Sequence, residues 1–231
     1  VLSAKDNIVS QFARFLFEKD YSLYTAKQWG VSPSVIDPSV LKRVPLRFSY
    51  DEGYFSDLYQ VMPERSFTEF FEKLLDHPNI KVQLNIDALI HLKVSGDGKK
   101  LVIDGREVTI PVVYTGALDE LFNHCEGPLP YRSLRFEWFY TQKDSFQSFP
   151  VVAYPQAEGF TRITEFKKLQ PQEGKGSTYA KEFPIEYISG KGSEPYYPVL
   201  TSGSQDQFQK YVRKSKGIKN LYCCGRLADF K

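Results

Sequence analysis

Residues 133 to 187 constrain the fold more than any other stretch. They carry long aromatic-rich runs at Leu134 to Tyr140, Phe146 to Tyr154, Arg162 to Lys167 and Thr178 to Tyr187. Aromatic and β-branched side chains suit a pleated, half-buried surface, and the run lengths and turn spacings point to an antiparallel sheet. Pro111-Val112-Val113-Tyr114 is a different kind of strand: apolar without alternation, as in a parallel sheet covered on both faces by helices. Ile218 to Cys223 reads as a second buried strand. The fold class expected is therefore α+β, with an antiparallel sheet, helices, and only part of a parallel sheet.

Around these runs the periodicity is mostly local. Ser3 and Asp6 have capping-box spacing ahead of Ile8, Phe12, Phe15, Leu16 and Leu23, which predicts an amphipathic helix over about 4 to 23. It leads into Tyr24-Thr25-Ala26-Lys27-Gln28-Trp29-Gly30, with Gly30 expected as a left-handed cap. Three prolines break the chain between Val31 and Pro45, where Asp37-Pro38 predicts a short helix carrying Lys42 and Arg43. Leu46 to Tyr50 and Phe55 to Met62 read as extended around the turn Asp51-Glu52-Gly53. Ser66 and Glu69 predict a helix through Phe70, Phe71, Leu74 and Leu75. Short strands are expected at Ile80 to Leu84, Leu89 to Val94, Leu101 to Ile103 and Thr109 to Tyr114, with a hairpin turn at Gly96-Asp97-Gly98. Ser204 is expected to cap a helix ending at Gly217.

Composition excludes several functions. At 231 residues, 42% hydrophobic and 15% aromatic, the chain has ample material for a core. Thirty basic against 28 acidic side chains give a net charge of +2, so no global field draws it to nucleic acid or an anionic membrane. No apolar run approaches a membrane span, and the amino terminus lacks a signal-peptide profile. Cys125, Cys223 and Cys224 do not form a disulfide framework, so a reducing cytoplasm is the expected setting. There is no GxSxG elbow. His77, His91 and His124 lack metal spacing, no metal is expected, and neither Gly174-Lys175-Gly176 nor Gly190-Lys191-Gly192 opens a helix after a strand.

What is left for chemistry is a mixture of cations and aromatics at element ends. Tyr24 and Trp29 offer flat faces with polar handles, and Lys27 and Gln28 add donors beside them. Arg43, Arg132, Arg162 and Arg226, with Tyr54, Tyr131, Tyr196 and Tyr197, include the residue types that clamp a nucleotide diphosphate without a glycine loop. For Tyr24 and Trp29 the plain alternative, two core aromatics at a capped helix end, is the stronger on local evidence, while for the arginines and the other tyrosines taken singly surface or core placement and a ligand clamp stand level.

The order of the motifs separates them. YTAKQWG, LKRVPLRFSYDEGYFSDLYQVMP, VVYTGALDELF, LPYRSLRFE, TRITEFK, EPYYPV and CCGRLADFK together resemble, block by block, the UDP-galactopyranose mutases. The resemblance implies an FAD-binding Rossmann domain, a helical domain and an antiparallel-sheet domain. On that basis the expected division is a partial helical domain over 1–45, opening strands and a helix of the sheet domain over 46–100, a remnant of the FAD-binding domain over 101–126, the sheet domain over 127–216, and a return to the FAD-binding domain over 217–231. The family's amino-terminal glycine-rich half and its extreme carboxyl-terminal motif are not matched, so a fragment of a longer chain is expected.

Residue by residue, the resemblance makes Tyr24 the uracil-stacking tyrosine and Trp29 the lining of the sugar site. Thr25 lies beside them. Arg43 and Arg162 become the diphosphate arginines, Tyr54 a tyrosine near the uridine end, and Tyr197, or else Tyr196, a phosphate hydrogen-bonder. Gly225 and Arg226 fall on the flavin side. The implied reaction interconverts UDP-galactopyranose and UDP-galactofuranose through attack of reduced flavin N5 on the anomeric carbon as UDP leaves. Arg43, Arg162 and Trp29 carry the protein's part in catalysis. Two alternatives stand beside this: a UDP-sugar binding fragment without chemistry, and an amine-oxidase-like FAD oxidoreductase. The fragment is not expected to retain FAD or turn over. Whether a second copy of the chain pairs with it as a homodimer is left open.

Overall fold

The computed structural model describes residues 7–37, 40, 50, 55–170 and 172–231. The predicted Ser3–Asp6 cap, the segment carrying Lys42 and Arg43, the Leu46 strand, the Asp51 turn and Tyr54 lie outside these residues. The opening helix is longer than its periodicity suggested. α1 (Asn7–Leu16) passes through a π-helical turn (Phe17–Tyr21) into α2 (Ser22–Trp29), and Gly30 ends it at φ 69°. The wider turn shifts the side-chain phase, so α2 presents a different face from α1.

The largest sheet is antiparallel, in the order β6-β7-β8-β5-β9. Its centre is the long pair β5 (Tyr131–Thr141) and β8 (Ser177–Glu186), flanked by β7 (Arg162–Glu165), β6 (Val151–Ala153) and β9 (Tyr197–Pro198). β10 (Leu221–Cys223) pairs in parallel with β4 (Val112–Tyr114), as the unalternating apolar run implied. β1 (Leu92–Val94), β2 (Leu101–Ile103) and β3 (Arg106–Glu107) form a small antiparallel meander. The core lies between the parallel pair, the helix Ser202–Lys216 and the start of β5, and includes Leu101, Leu118, Tyr131, Phe208, Tyr211, Ile218 and Phe230. Tyr211 is fully buried, and its hydroxyl donates to the Gly127 carbonyl at 2.6 Å and accepts from the Glu126 amide at 2.9 Å.

Several expectations need correction. Ile80 to Leu84 is not a strand, and Phe55 to Met62 joins no sheet. Leu89 to Val94 begins as a helical turn, Ala88–His91, before β1. The Phe146 run gives a strand only at Val151–Ala153. The buried carboxylate of Glu165 takes the amides of Phe146 and Gln147 at 2.9 and 3.0 Å, which turns those residues out of any ladder. The last helix is capped by Thr201, with Ser204 as the reciprocal partner at the third helical position.

Candidate functional site

Sheet register gathers side chains that are far apart in sequence. Arg162 on β7 lies opposite Glu182 on β8, Glu182 opposite Phe136 on β5, and Arg132 opposite Tyr197 on β9. Cross-strand partners share a face, and positions 132 and 136 have the same parity, so Arg132, Arg162, Glu182 and Tyr197 stand on one side of the sheet. α2 lies over that side. Tyr24, Lys27 and Gln28, spaced i, i+3 and i+4, share one face of the helix.

The contacts between helix and sheet are polar and aromatic. Gln28 Nε2 donates to the Tyr197 hydroxyl, and the Trp29 and Tyr197 rings are 5.8 Å apart at 51°. Arg132 Nε donates to the Gln28 carbonyl at 3.2 Å. Tyr24 is half-buried beside Thr161; burial chiefly raises its phenol pKa, Arg162 works against that, and Glu182 adds to it. Burial likewise holds the Tyr197 phenol well above its usual range, with Glu182 the next contributor. Both hydroxyls therefore stay protonated and able to donate.

Arg162 Nε donates to Glu182 Oε2 at 2.8 Å. Burial alone would lower the guanidinium pKa, but the hydrogen bond and charge of Glu182 more than offset this. The carboxylate side chain is 5% exposed and the arginine 40%, so the pair is anchored inside and open outside. Glu182 Oε1 and Gln28 Oε1 are both buried acceptors without a hydrogen-bond partner among the described residues. Such an atom costs about 1–3 kcal/mol unless a donor reaches it.

Of the residues expected at a site, Tyr24, Trp29, Arg162 and Tyr197 meet along this seam, and Thr25 is buried in the same turn of helix. Arg43 and Tyr54 lie outside the described residues. Tyr196 is more exposed than Tyr197 and packs edge-on against Phe136. Arg226 follows Gly225 at the end of β10 and reaches the Tyr196 carbonyl through Nη1 at 3.4 Å, which connects the parallel pair to the seam. Glu182 was not anticipated. In the sequence it is one of several charged residues in Ser177–Glu186 and carries no signal of its own; its placement shows only in the fold, where it shares a side of β8 with buried Ala180. Local structure takes up the histidines: His124 bonds Asp119, His91 bonds Asp104, and His77 accepts from the Asn79 amide.

Fold and seam together define an α+β protein in which aromatic faces, phenols and an anchored arginine converge between a helix and an antiparallel sheet. A family model described as UDP-galactopyranose mutase matches residues 19–231. Among curated relatives, the UDP-galactopyranose mutase of Mycoplasma pneumoniae is 36% identical over 96% of this chain and 56% of its own length. That of Mycoplasma genitalium is 37% identical over 98% and 57%. A dTDP-fucopyranose mutase of Escherichia coli is 36% identical over 94% and 55%. A crystal structure of reduced UDP-galactopyranose mutase matches 97% of this chain and 62% of that one, with a TM-score of 0.67 and 13% identity, which shows the shared fold. The chain belongs to the UDP-galactopyranose mutase family, and it spans about 56% of the length of the first of these relatives.

Proposed function

We propose that this chain supplies the nucleotide-sugar side of a mutase interconverting UDP-galactopyranose and UDP-galactofuranose with reduced FAD. The observation that carries the reading is the convergence of Tyr24, Trp29, Arg162 and Tyr197 on one seam, from three separate blocks of the family's ordered pattern. In this reading Tyr24 stacks on the uracil and Trp29 lines the sugar. With Nε committed to Glu182, Arg162 offers its two Nη groups to the diphosphate, a geometry that a lysine cannot reproduce. Arg43 is assigned the second diphosphate contact. Tyr197, rather than Tyr196, donates to a phosphate oxygen, because Gln28 already fills an acceptor position on its oxygen and leaves its proton free to be given.

For the cofactor, β4 and β10 end side by side at Thr115-Gly116 and Cys224-Gly225, and ligands of parallel sheets bind beyond such carboxyl ends. Gly225 at φ 93° has its nearest neighbour, a Thr115 atom, 3.8 Å from where a Cβ would stand, and Arg226 beside it is exposed. An open backbone and a guanidinium fit the edge of a flavin, so Gly225 and Arg226 would hold it. When bound, reduced flavin supplies the nucleophile for the anomeric carbon. The chain's own residues hold the departing UDP in place and keep it available for return. The division into helical, sheet and flavin-binding segments given above belongs to this proposal.

Calorimetric titration with UDP tests the reading. Binding by the chain is expected, and Arg162→Ala should weaken it at least several-fold. Equal affinities for UDP in the two proteins would overturn the role of Arg162. The dTDP-fucopyranose mutase relative favours a second reading of the nucleotide, so dTDP is titrated in parallel, and clearly tighter binding of dTDP would select it.

A further inference from the structure

Lys27 has no part in the roles assigned so far, although it sits between Tyr24 and Trp29. Its ammonium donates to the carbonyls of Tyr154, Ala157 and Phe160 at 2.8, 2.5 and 2.7 Å. A lysine has three N–H donors, and three neutral carbonyls use all of them. Burial lowers the Lys27 pKa, in keeping with a charge held by dipoles rather than solvent.

All three carbonyls belong to the turn between β6 and β7. That turn folds on itself through the Tyr154 amide to the Thr161 carbonyl at 2.8 Å and the Ala157 amide to the Tyr154 carbonyl at 3.2 Å. The chain then runs into Thr161, which is fully buried and bonds the Glu182 carbonyl through its amide at 2.9 Å and its hydroxyl at 3.2 Å. Arg162 follows directly. One helical turn before Lys27, the Tyr24 phenol lies beside Thr161 and within the field of Arg162. A single cation thus ties the helix bearing the aromatics to the hairpin bearing the arginine.

We propose that Lys27 is a positioning residue: it locks the β6–β7 turn onto α2 and thereby sets the span between Tyr24 and Arg162 without touching the nucleotide. This rests on reading the seam as a nucleotide site. A direct phosphate contact would require Lys27 to give up carbonyls that form a complete cradle. Arginine is no substitute, since its planar fork does not converge on three carbonyls around one nitrogen.

The test is a double-mutant cycle on the whole chain, read by UDP calorimetry. Lys27→Met keeps the aliphatic stem and removes the donors. It should weaken UDP binding about tenfold in the parent background but less than about twofold in Arg162→Ala, because the arginine it positions is gone. Equal losses in both backgrounds would show that Lys27 acts on the nucleotide directly, and no loss in either would also overturn the proposal. Hydrogen exchange without nucleotide reads the lock alone. The Phe160, Thr161 and Arg162 amides should exchange at least tenfold faster in Lys27→Met, while those of Tyr211 and Val212 hold their rates. Uniform acceleration would mean a general structural role and sink the idea. Absence of UDP binding by the parent chain would instead remove the nucleotide reading, with the exchange arm still deciding the lock. Should Lys27→Met not fold, Lys27→Gln carries the same measurements.

Discussion

Single residues carry much of the order in the sheet, and Glu165 shows how. Its side chain is completely buried at the end of β7 and accepts from the Ser177 hydroxyl at 2.6 Å and from the amides of Phe146 and Gln147. Burial by itself would raise its pKa, but these hydrogen bonds outweigh burial and pull the carboxyl below its ordinary value. A depressed folded-state pKa means that the unfolded chain takes up the proton first. The stability Glu165 contributes is therefore complete above the ordinary glutamate pKa of about 4.3 and is lost as pH falls through the lower folded value. The thermal midpoint should drop in that acid window. Glu165→Gln should cost about 1–3 kcal/mol at neutral pH and flatten the acid limb of the curve. A variant melting like the parent at neutral pH would show that the carboxylate does not organise residues 145 to 150.

Among the elements, α2 depends on its termination. Gly30 takes the left-handed conformation at φ 69°, and a Cβ there would come within 2.7 Å of Arg132 Nη1. Gly30→Ala should therefore cost about 1–2 kcal/mol for the left-handed backbone, with more for displacing Arg132 from the Gln28 carbonyl. A denaturant midpoint unchanged by this substitution would contradict the cap. The glycine and the helix before it were legible in the sequence, as were β5 and β8, whose aromatic runs are long enough to specify a ladder. Ile80 to Leu84 shares the apolar character of a strand but pairs with no strand among the described residues, and the Ile80 amide closes a turn on the His77 carbonyl at 2.9 Å instead. Phe146 to Tyr154 read as one strand because nothing in its own composition reveals that Glu165 captures its first amides.

At the scale of the whole molecule, burial is uneven. Residues 55–91 are almost wholly exposed, including Phe67, Phe70, Phe71 and Leu74 on the helix Phe67–Leu75, whereas β5 and β8 are bonded along their length. Amide exchange should be faster by orders of magnitude in Phe67–Leu75 than in the centre of β8, because local opening there exposes little apolar surface that is not already wet. Equal protection in the two segments would overturn that picture. No helix among the described residues is long and apolar enough to cross a membrane. Sequence by itself determined the α+β class, the helix that ends at Gly30 and the strands of the central pair, because propensity, periodicity and caps act over a few neighbouring residues, and the order of its motif blocks carried the resemblance to the family. Only the tertiary structure decided that Glu182 anchors Arg162, that Tyr197 rather than Tyr196 meets Trp29, and that Lys27 holds the carbonyls of a turn more than a hundred residues away. Alternation along a strand tells which side a residue takes, but which distant groups share that side is set by register and by the helix laid across it.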